Sequence, residues 1–229
     1  MPHHDPQTLI PHLQAIPYFA GLEPALLLEI AQAAIWREYA AGAMVFLEGE
    51  FSLNLYYLAF GWIKVVKMSA EGREQVLRFL GPGDVFNEVG VFVSRPNPAT
   101  AIALEHCGVW LLQRQQVRRV LEAHPAMLLQ VLENMARRIA YLAEMVAELS
   151  LHTVEARLAR LLLDQAQGGV VQRQRWNTQA EMAARLGTVP DVLSRALRSL
   201  SDAGLIAVDR QQFRILDARG LSERALLKE

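Results

Sequence analysis

The stretch from Pro125 to about His152 limits what this chain can become more than any other. Leu128, Leu132, Met135, Ile139, Leu142, Val146 and Leu149 follow one another at steps of 4, 3, 4, 3, 4 and 3 residues. A 3.5-residue period keeps one apolar seam on one side of a helix along its whole length, the condition for a two-helix coiled coil. The competing assignment is a core helix of a single domain, whose stripe would be wider and would drift. Leu129, Val131, Ala140, Ala143 and Met145 are apolar outside the seam. One flank is therefore expected to pack on its own domain while the seam meets a second copy.

With 229 residues, the chain is long enough for one large or two ordinary domains. Its net charge of −1 announces no whole-chain attraction to a polyanion, but the halves differ. Residues 1–151 hold 11 Lys/Arg against 15 Asp/Glu, whereas residues 152–229 hold 12 against 9. That asymmetry favours a polyanionic partner for the C-terminal part. The single cysteine, Cys107, excludes an intrachain disulfide and leaves a cysteine-ligated iron–sulfur cluster without ligands. Met1-Pro2-His3-His4-Asp5 lacks the basic and apolar regions of a signal peptide, and no apolar run approaches the ~20 residues that span a bilayer. A cytoplasmic protein with no membrane partner is expected.

Residues 7–39 read as helical, with a first stripe ended by Pro17 and a second after Gly21. From Ala40 to Gln113 the character becomes β. Met44–Leu47, Leu55–Leu58, Ile63–Val66, Val76–Leu80, Ala101–Leu104 and Val109–Leu112 are short apolar runs separated by glycine turns, as in a sandwich or barrel. Glu71-Gly72 marks a hairpin and Gly81-Pro82-Gly83-Asp84 a second reversal. Phe86 to Phe92 is mixed, and a loop from Ser94 to Pro98 follows. Arg114–Ala123 reads as a short helix leading into the long one. At Ser150–Thr153 the seam stops, Thr153 can cap a further helix, and Gly168-Gly169 closes that helix.

Thr178 to Gly187 predicts a short capped helix with a glycine stop, and Thr188 to Leu200 a second helix. Val192 or Leu193, with Ala196, Leu197 and Leu200, should face inward. Two helices about a short glycine-containing turn fit a helix-turn-helix, although plain helical hairpins share the pattern. Leu205–Val208 and Phe213–Leu216 around a turn at Asp209–Gln212 predict a β-hairpin, which makes the unit a winged helix. The expected fold class is α+β, in three parts. A β-roll with N-terminal helices spans 1–124, a dimerisation helix and hinge 125–152, and a winged helix-turn-helix 153–229.

Certain residues in this order carry a family resemblance. They are Glu48-Gly49-Glu50, Leu55-Tyr56-Tyr57-Leu58 with Gly61, Gly83-Asp84-Val85-Phe86, Met135-Ala136-Arg137-Arg138, Thr178–Glu181, Leu186-Gly187 and Ser194-Arg195. Over nearly its whole length the chain resembles the cyclic-AMP receptor protein/FNR family of bacterial transcription regulators. The resemblance implies a cyclic-nucleotide-binding-like jelly roll and a homodimer on a palindromic operator of double-stranded DNA. It also implies allosteric control and contact with RNA polymerase. It implies an effector pocket at Phe86, Asn87, Glu88, Val89, Ala99 and Thr100, closed by Leu142 and Ala143 of the long helix.

The same alignment argues against cyclic AMP. The family's Gly-Glu pair is Asn87-Glu88 here, its phosphate-holding Arg-Ser pair falls on Ala99-Thr100, and its adenine-contacting hydroxyls fall on Leu142-Ala143. A cyclic phosphate needs a guanidinium or an equivalent set of donors, which Ala99 does not supply. Haem, as in the gas-sensing relatives, stays open: His106-Cys107 and an N-terminal Pro2 could be ligands. Against it, His106-Cys107-Gly108 reads as a turn, and Val89 occupies the haem-histidine position. The apolar lining of Phe86, Val89, Leu142 and Trp62 suits haem, a small apolar ligand, or a filled pocket needing no effector.

On the second helix of the helix-turn-helix, Asp191, Ser194, Arg195 and Arg198 share a face. Arg195 suits guanine O6 and N7, Ser194 a base edge or methyl, and a carboxylate cytosine N4. Thr188-x-x-Asp191 also has capping-box spacing, which would occupy Asp191 with helix amides instead. Thr178, Gln179, Arg198, Arg210 and Arg214 are candidate phosphate contacts. A cupin-like β-roll enzyme would need histidines and a carboxylate around a metal. The β region offers only His106, and no catalytic constellation is recognisable, so an enzyme is not expected.

Overall fold

The computed structural model describes residues 5–16, 19–93 and 95–226. Pro2, Pro17 and Ser94 lie outside the described residues. The chain divides into two compact units, one of residues 1–67 and 77–140, the other of residues 68–76 and 141–229.

In the first unit, α1 (Pro6–Ala15) starts at Asp5, whose carboxylate accepts from the Gln7 amide at 2.9 Å. Next come α2 (Pro24–Ala33) and β1 (Ile35–Tyr39). The helix expected to continue to residue 39 therefore stops early. Trp36 and Tyr39 belong to a strand that pairs antiparallel with Cys107–Leu111, where β-favouring aromatics override the helical stripe before them. The β region continues with β2 (Met44–Phe46), β3 (Asn54–Phe60), β4 (Ile63–Met68), β5 (Glu74–Leu80) and β6 (Val85–Phe86). After α3 (Glu88–Phe92) come β7 (Thr100–Ala103), β8 (Cys107–Gln113), α4 (Arg114–Ala123) and α5 (Ala126–Leu151). Each of the six apolar runs read from the sequence overlaps a strand.

The strands form two four-stranded sheets, ordered β1-β8-β3-β6 and β2-β7-β4-β5. In the first sheet successive side chains enter different cores, because a strand alternates faces. Tyr56, Leu58, Val109 and Leu111 meet Phe46, Ile63, Leu80 and Ala101 between the sheets. Leu55, Tyr57, Trp110 and Leu112 meet α1, α2, α4 and the start of α5 on the other face. A sheet covered on both faces has continuous apolar strands, which is why these runs are apolar throughout.

Met127 and Val131 of α5 are buried in that outer core, and Met135 packs partly against it. These residues recur every fourth position, the ridge a helix offers to a neighbouring layer. Met135, expected in the seam, is thus shared with the domain's own core. Leu129, expected on the inner flank, is exposed instead. Leu128, Leu132, Ile139, Leu142 and Val146 are exposed, and Leu149 is half-buried.

In the second unit α5 ends at Leu151, and Thr153 caps α6 (Val154–Gln165) by accepting from the Ala156 amide at 3.2 Å. Arg157 of α6 reaches back to the last turn of α5. One of its guanidinium nitrogens donates to the carbonyls of Glu148 (3.4 Å), Leu149 (3.0 Å) and His152 (3.3 Å). Helix C-termini leave such carbonyls without intrahelical partners. Arg160 pairs with the Glu148 carboxylate and donates through Nε to the Ala225 carbonyl at 2.6 Å.

The remaining elements are β9 (Val170–Gln172), α7 (Gln179–Arg185), α8 (Pro190–Asp202), β10 (Ile206–Val208), β11 (Gln212–Ile215) and α9 (Ala218–Arg224). The sheet order is β10-β11-β9, so the expected two-stranded wing is a three-stranded sheet. One core joins Leu158 and Leu162 to Met182, Leu193, Leu197, Leu200, Phe213 and Leu221. Leu193, rather than Val192, is the inward residue of α8.

Candidate nucleic-acid interface

The helix-turn-helix is built from local signals. Thr178 caps α7 by accepting from the Glu181 amide at 3.2 Å, and Gly187, with φ +64°, reverses the chain where other residues would be strained. Val189 is the N-cap of α8 and Pro190 opens its first turn, where a missing N–H costs nothing. The capping box expected of Thr188 and Asp191 does not form. With Val189 as the cap, the third helical position is Val192, and α8 has no side-chain cap. Asp191 is left exposed in the first turn, free of capping duty and favourably placed against the helix dipole.

Leu193, Ala196, Leu197 and Leu200 bury one side of α8. Asp191, Arg195 and Arg198 are exposed opposite them, with Ser194 half-buried at the edge. Thr178 and Gln179 are exposed at the start of α7. Among the described residues Arg195, Arg198 and Arg210 join no ion pair. Elsewhere in this unit Arg160, Arg219 and Arg224 are paired with Glu148, Glu223 and Glu155. Unneutralised guanidiniums on one helix face and on the wing suit a polyanion.

The wing turn is stiff. The Asp209 carboxylate accepts from the Gln211 and Gln212 amides, both at 2.8 Å, and the Asp209 amide donates to the Gln212 carbonyl at 3.1 Å. The Gln211 amide bond, with help from Gln212 and Arg214, holds the Asp209 pKa below its ordinary value. Arg173 anchors the turn: its amide donates to the Gln211 carbonyl at 2.8 Å, and its guanidinium lies 5.3 Å from the Phe213 ring centre. Sequence reasoning passes over Arg173, whose only signal is a basic residue beside the short apolar pair Val170-Val171.

The residues expected around an effector are engaged otherwise. Asn87 has φ +71°, a left-handed conformation that asparagine tolerates, and is 8 % exposed. Its amide donates to the carbonyls of Ser52 (3.0 Å) and Asn54 (2.9 Å). Thr100 is buried, and its hydroxyl accepts from the Glu48 amide at 3.0 Å. The polar side-chain groups of Asn87 and Thr100 thus take part in the fold's own hydrogen bonds. Phe86 is buried and stacks on Tyr56 at 5.1 Å, with Phe46 against both rings. Ala99 is buried, and Glu88 and Val89 are half-buried. Leu142 and Ala143 are exposed on the part of α5 that belongs to the second unit.

A cyclic phosphate does not fit these residues. Ala99 is apolar, and the nearby Lys67 is paired with Glu48 and donates to the Pro98 carbonyl at 3.1 Å. The His106-Cys107 pair does not fit haem ligation either. His106 is exposed, 3.0 Å from the Glu38 carboxylate, whereas Cys107 is buried and its thiol is pushed up to about 11, chiefly by burial. Adjacent residues with such different surroundings do not converge on one ligand.

Comparisons with known proteins agree with this architecture. The family model for a cyclic nucleotide-binding domain matches residues 36–124, and that for a Crp-like helix-turn-helix domain matches residues 156–224. The CRP-like cAMP-activated global transcriptional regulator of Mycobacterium tuberculosis is 28% identical over 90% of this chain and 95% of its own length. The cyclic AMP receptor protein of Thermus thermophilus is 27% identical over 93% of this chain and 98% of its own length. The structure of FixK2 from Bradyrhizobium japonicum aligns with a TM-score of 0.73 and 20% identity over 86% of this chain and 99% of its own, a likeness of fold. With both of its domains matched in this order, the chain belongs to the cyclic-AMP receptor protein/FNR family of transcription regulators and is not an enzyme.

Proposed function

We propose that this regulator binds double-stranded DNA as a homodimer and reads a two-fold symmetric operator with α8. One observation carries the reading: Asp191, Ser194, Arg195 and Arg198 share the solvent face of a helix whose other face is core, and its arginines are unpaired. In a helix-turn-helix the N-terminal part of the second helix contacts base edges while the first helix crosses the backbone. Arg195 bonds guanine, Asp191 accepts from cytosine N4, Ser194 touches a neighbouring edge, and Thr178, Gln179 and Arg198 meet phosphates. The half-sites lie one helical turn apart, ~34 Å. The Thr178 hydroxyl remains able to donate to a phosphate while its oxygen caps α7.

The parts proposed for this work are the β-roll with its N-terminal helices (1–124), the dimerisation helix and hinge (125–152) and the winged helix-turn-helix reading head (153–229). The site of action is the cytoplasm, with RNA polymerase as the further partner. Cyclic AMP is not the effector. The buried Ala99 and the occupied hydrogen-bonding groups of Asn87 and Thr100 favour another ligand or effector-independent binding.

The test is fluorescence anisotropy on a duplex selected by the wild-type protein from a random pool. Arg195→Ala should lose about tenfold or more in affinity and the preference for guanine at one position per half-site. Unchanged affinity and guanine preference would sink the assignment. Adding cyclic AMP should leave the wild-type affinity unaltered.

A further inference from the structure

The wing carries a second reading element. We propose that Arg210, presented at the tip of the β10–β11 hairpin, enters the DNA minor groove beside each half-site and selects A·T pairs there. The inference rests on the DNA-binding reading above and adds a second determinant of sequence to it.

Three features of the wing support this. The first is rigidity. Arg210 is exposed in a three-residue turn whose flanking residues are tied down: Asp209 accepts from two backbone amides, and the Gln211 carbonyl accepts from the Arg173 amide. A preorganised side chain loses less freedom on binding than one on a floppy loop.

The second feature is place. β9, which pairs with β11 of the hairpin, ends at Gln172, and Arg173 begins the segment that leads into α7. The Arg173 guanidinium donates to the Asn177 carbonyl at 3.4 Å, one residue before the Thr178 cap. The tip and the N-terminus of α7 are therefore fastened to one short segment. In a helix-turn-helix the first helix straddles the backbone that borders the occupied major groove. What is fastened beside its N-terminus faces the far side of that backbone, where the minor groove opens.

The third feature is chemistry. Arg210 joins no ion pair among the described residues. Asp209, the nearest carboxylate in sequence, has Oδ1 turned onto two backbone amides and forms no ion pair with Arg210 among the described residues. Narrow A·T minor grooves concentrate negative potential and attract arginine. The exposed Gln211 adds an amide able to donate to adenine N3 or thymine O2, while guanine's N2 amino group would obstruct both side chains. Arg173 spends its own cation on the Phe213 ring and the Asn177 carbonyl, so it holds the wing instead of touching DNA.

The experiment uses the full chain and the duplex selected by the wild-type protein, with the pairs just outside each half-site changed to A·T, G·C or inosine·C. Inosine·C keeps the major-groove acceptors of G·C and lacks the minor-groove amino group. Wild type should bind A·T and inosine·C flanks about tenfold more tightly than G·C. Arg210→Ala should bind all three alike and keep the guanine preference inside the half-site. Arg210→Lys, which retains the charge, should keep affinity but show a reduced preference. If Arg210→Ala weakened all three flanks equally, or changed nothing, the minor-groove role would be overturned. Arg195→Ala separates the two ideas, because it should lose the half-site preference and keep the flank preference. If wild type selected no common sequence from the pool, the DNA-reading assignment and this proposal would fall together.

Discussion

Asn87 shows how one residue can keep a family's geometry while giving up its chemistry. The turn before α3 needs a positive φ, which the glycine of the related Gly-Glu pair supplies without strain and asparagine supplies at small cost. Having taken the turn, the Asn87 amide fastens the carbonyls of Ser52 and Asn54. Two substitutions separate these roles. Asn87→Gly should lose about 1–2 kcal/mol through the missing hydrogen bonds. Asn87→Ala should lose about 1 kcal/mol more, because its Cβ opposes the left-handed conformation. Urea midpoints measure both, and equal midpoints would mean that the backbone conformation is not what the position requires. Gly90 is held nearby for a steric reason: a Cβ there would collide with the Ser52 carbonyl oxygen.

At the scale of elements, α5 is the clearest case of a helix with two assignments. Met127 and Val131 are buried in the outer core, whereas Leu132 and Ile139 are 62 % and 68 % exposed. Apolar side chains left in water at heptad spacing are expected to be covered by a second copy. Replacing Leu132 and Ile139 by aspartate should halve the mass seen in sedimentation equilibrium and abolish tight operator binding, without lowering the helical content of the monomer. A dimer that survives both changes would overturn the seam. The heptad was legible because it depends only on spacing within one helix. The paired strands were legible for a similar reason, since a doubly covered sheet makes its strands apolar throughout. β1 was not legible, because an edge strand carrying Arg37 and Glu38 gives no apolar run and inherits the stripe of α2. β9 and α9 are short, and each is stabilised by the core it joins rather than by its own sequence.

For the whole molecule, alkaline pH should find the β-roll's weak point. The Cys107 thiol is buried and its pKa is pushed up to about 11, mainly by burial and further by the charge of Glu105. In the unfolded chain it ionises near ~8.5. The folded state then binds more protons than the unfolded state, so stability is fully present below the unfolded value and is lost as pH rises towards 11. The slope for one such group is at most ~1.4 kcal/mol per pH unit. Burial also raises Tyr39 and Tyr57, which steepens the loss at the upper end. The difference in Tm between wild type and Cys107→Ala, followed from pH 7 upward, isolates the thiol. A difference independent of pH would refute the assignment. Such a group is invisible in sequence, because burial comes from both sheets at once. The site was legible in part: the face shared by Asp191, Ser194, Arg195 and Arg198 follows from helical spacing. The employment of Asn87 and Thr100 and the fastening of the wing by Arg173 depend on partners remote in the chain.

Arg157 and Arg160 make a crank of the joint between α5 and α6. Their bonds reach three carbonyls and a carboxylate at the end of α5, and α6 shares one core with α8. Rotation of the final turns of α5 about their axis is expected to reach α8 through these ties rather than to be lost as slack at Ser150–Thr153. Cutting the ties would turn the crank into a universal joint, and the two heads of a dimer would then search for their half-sites independently.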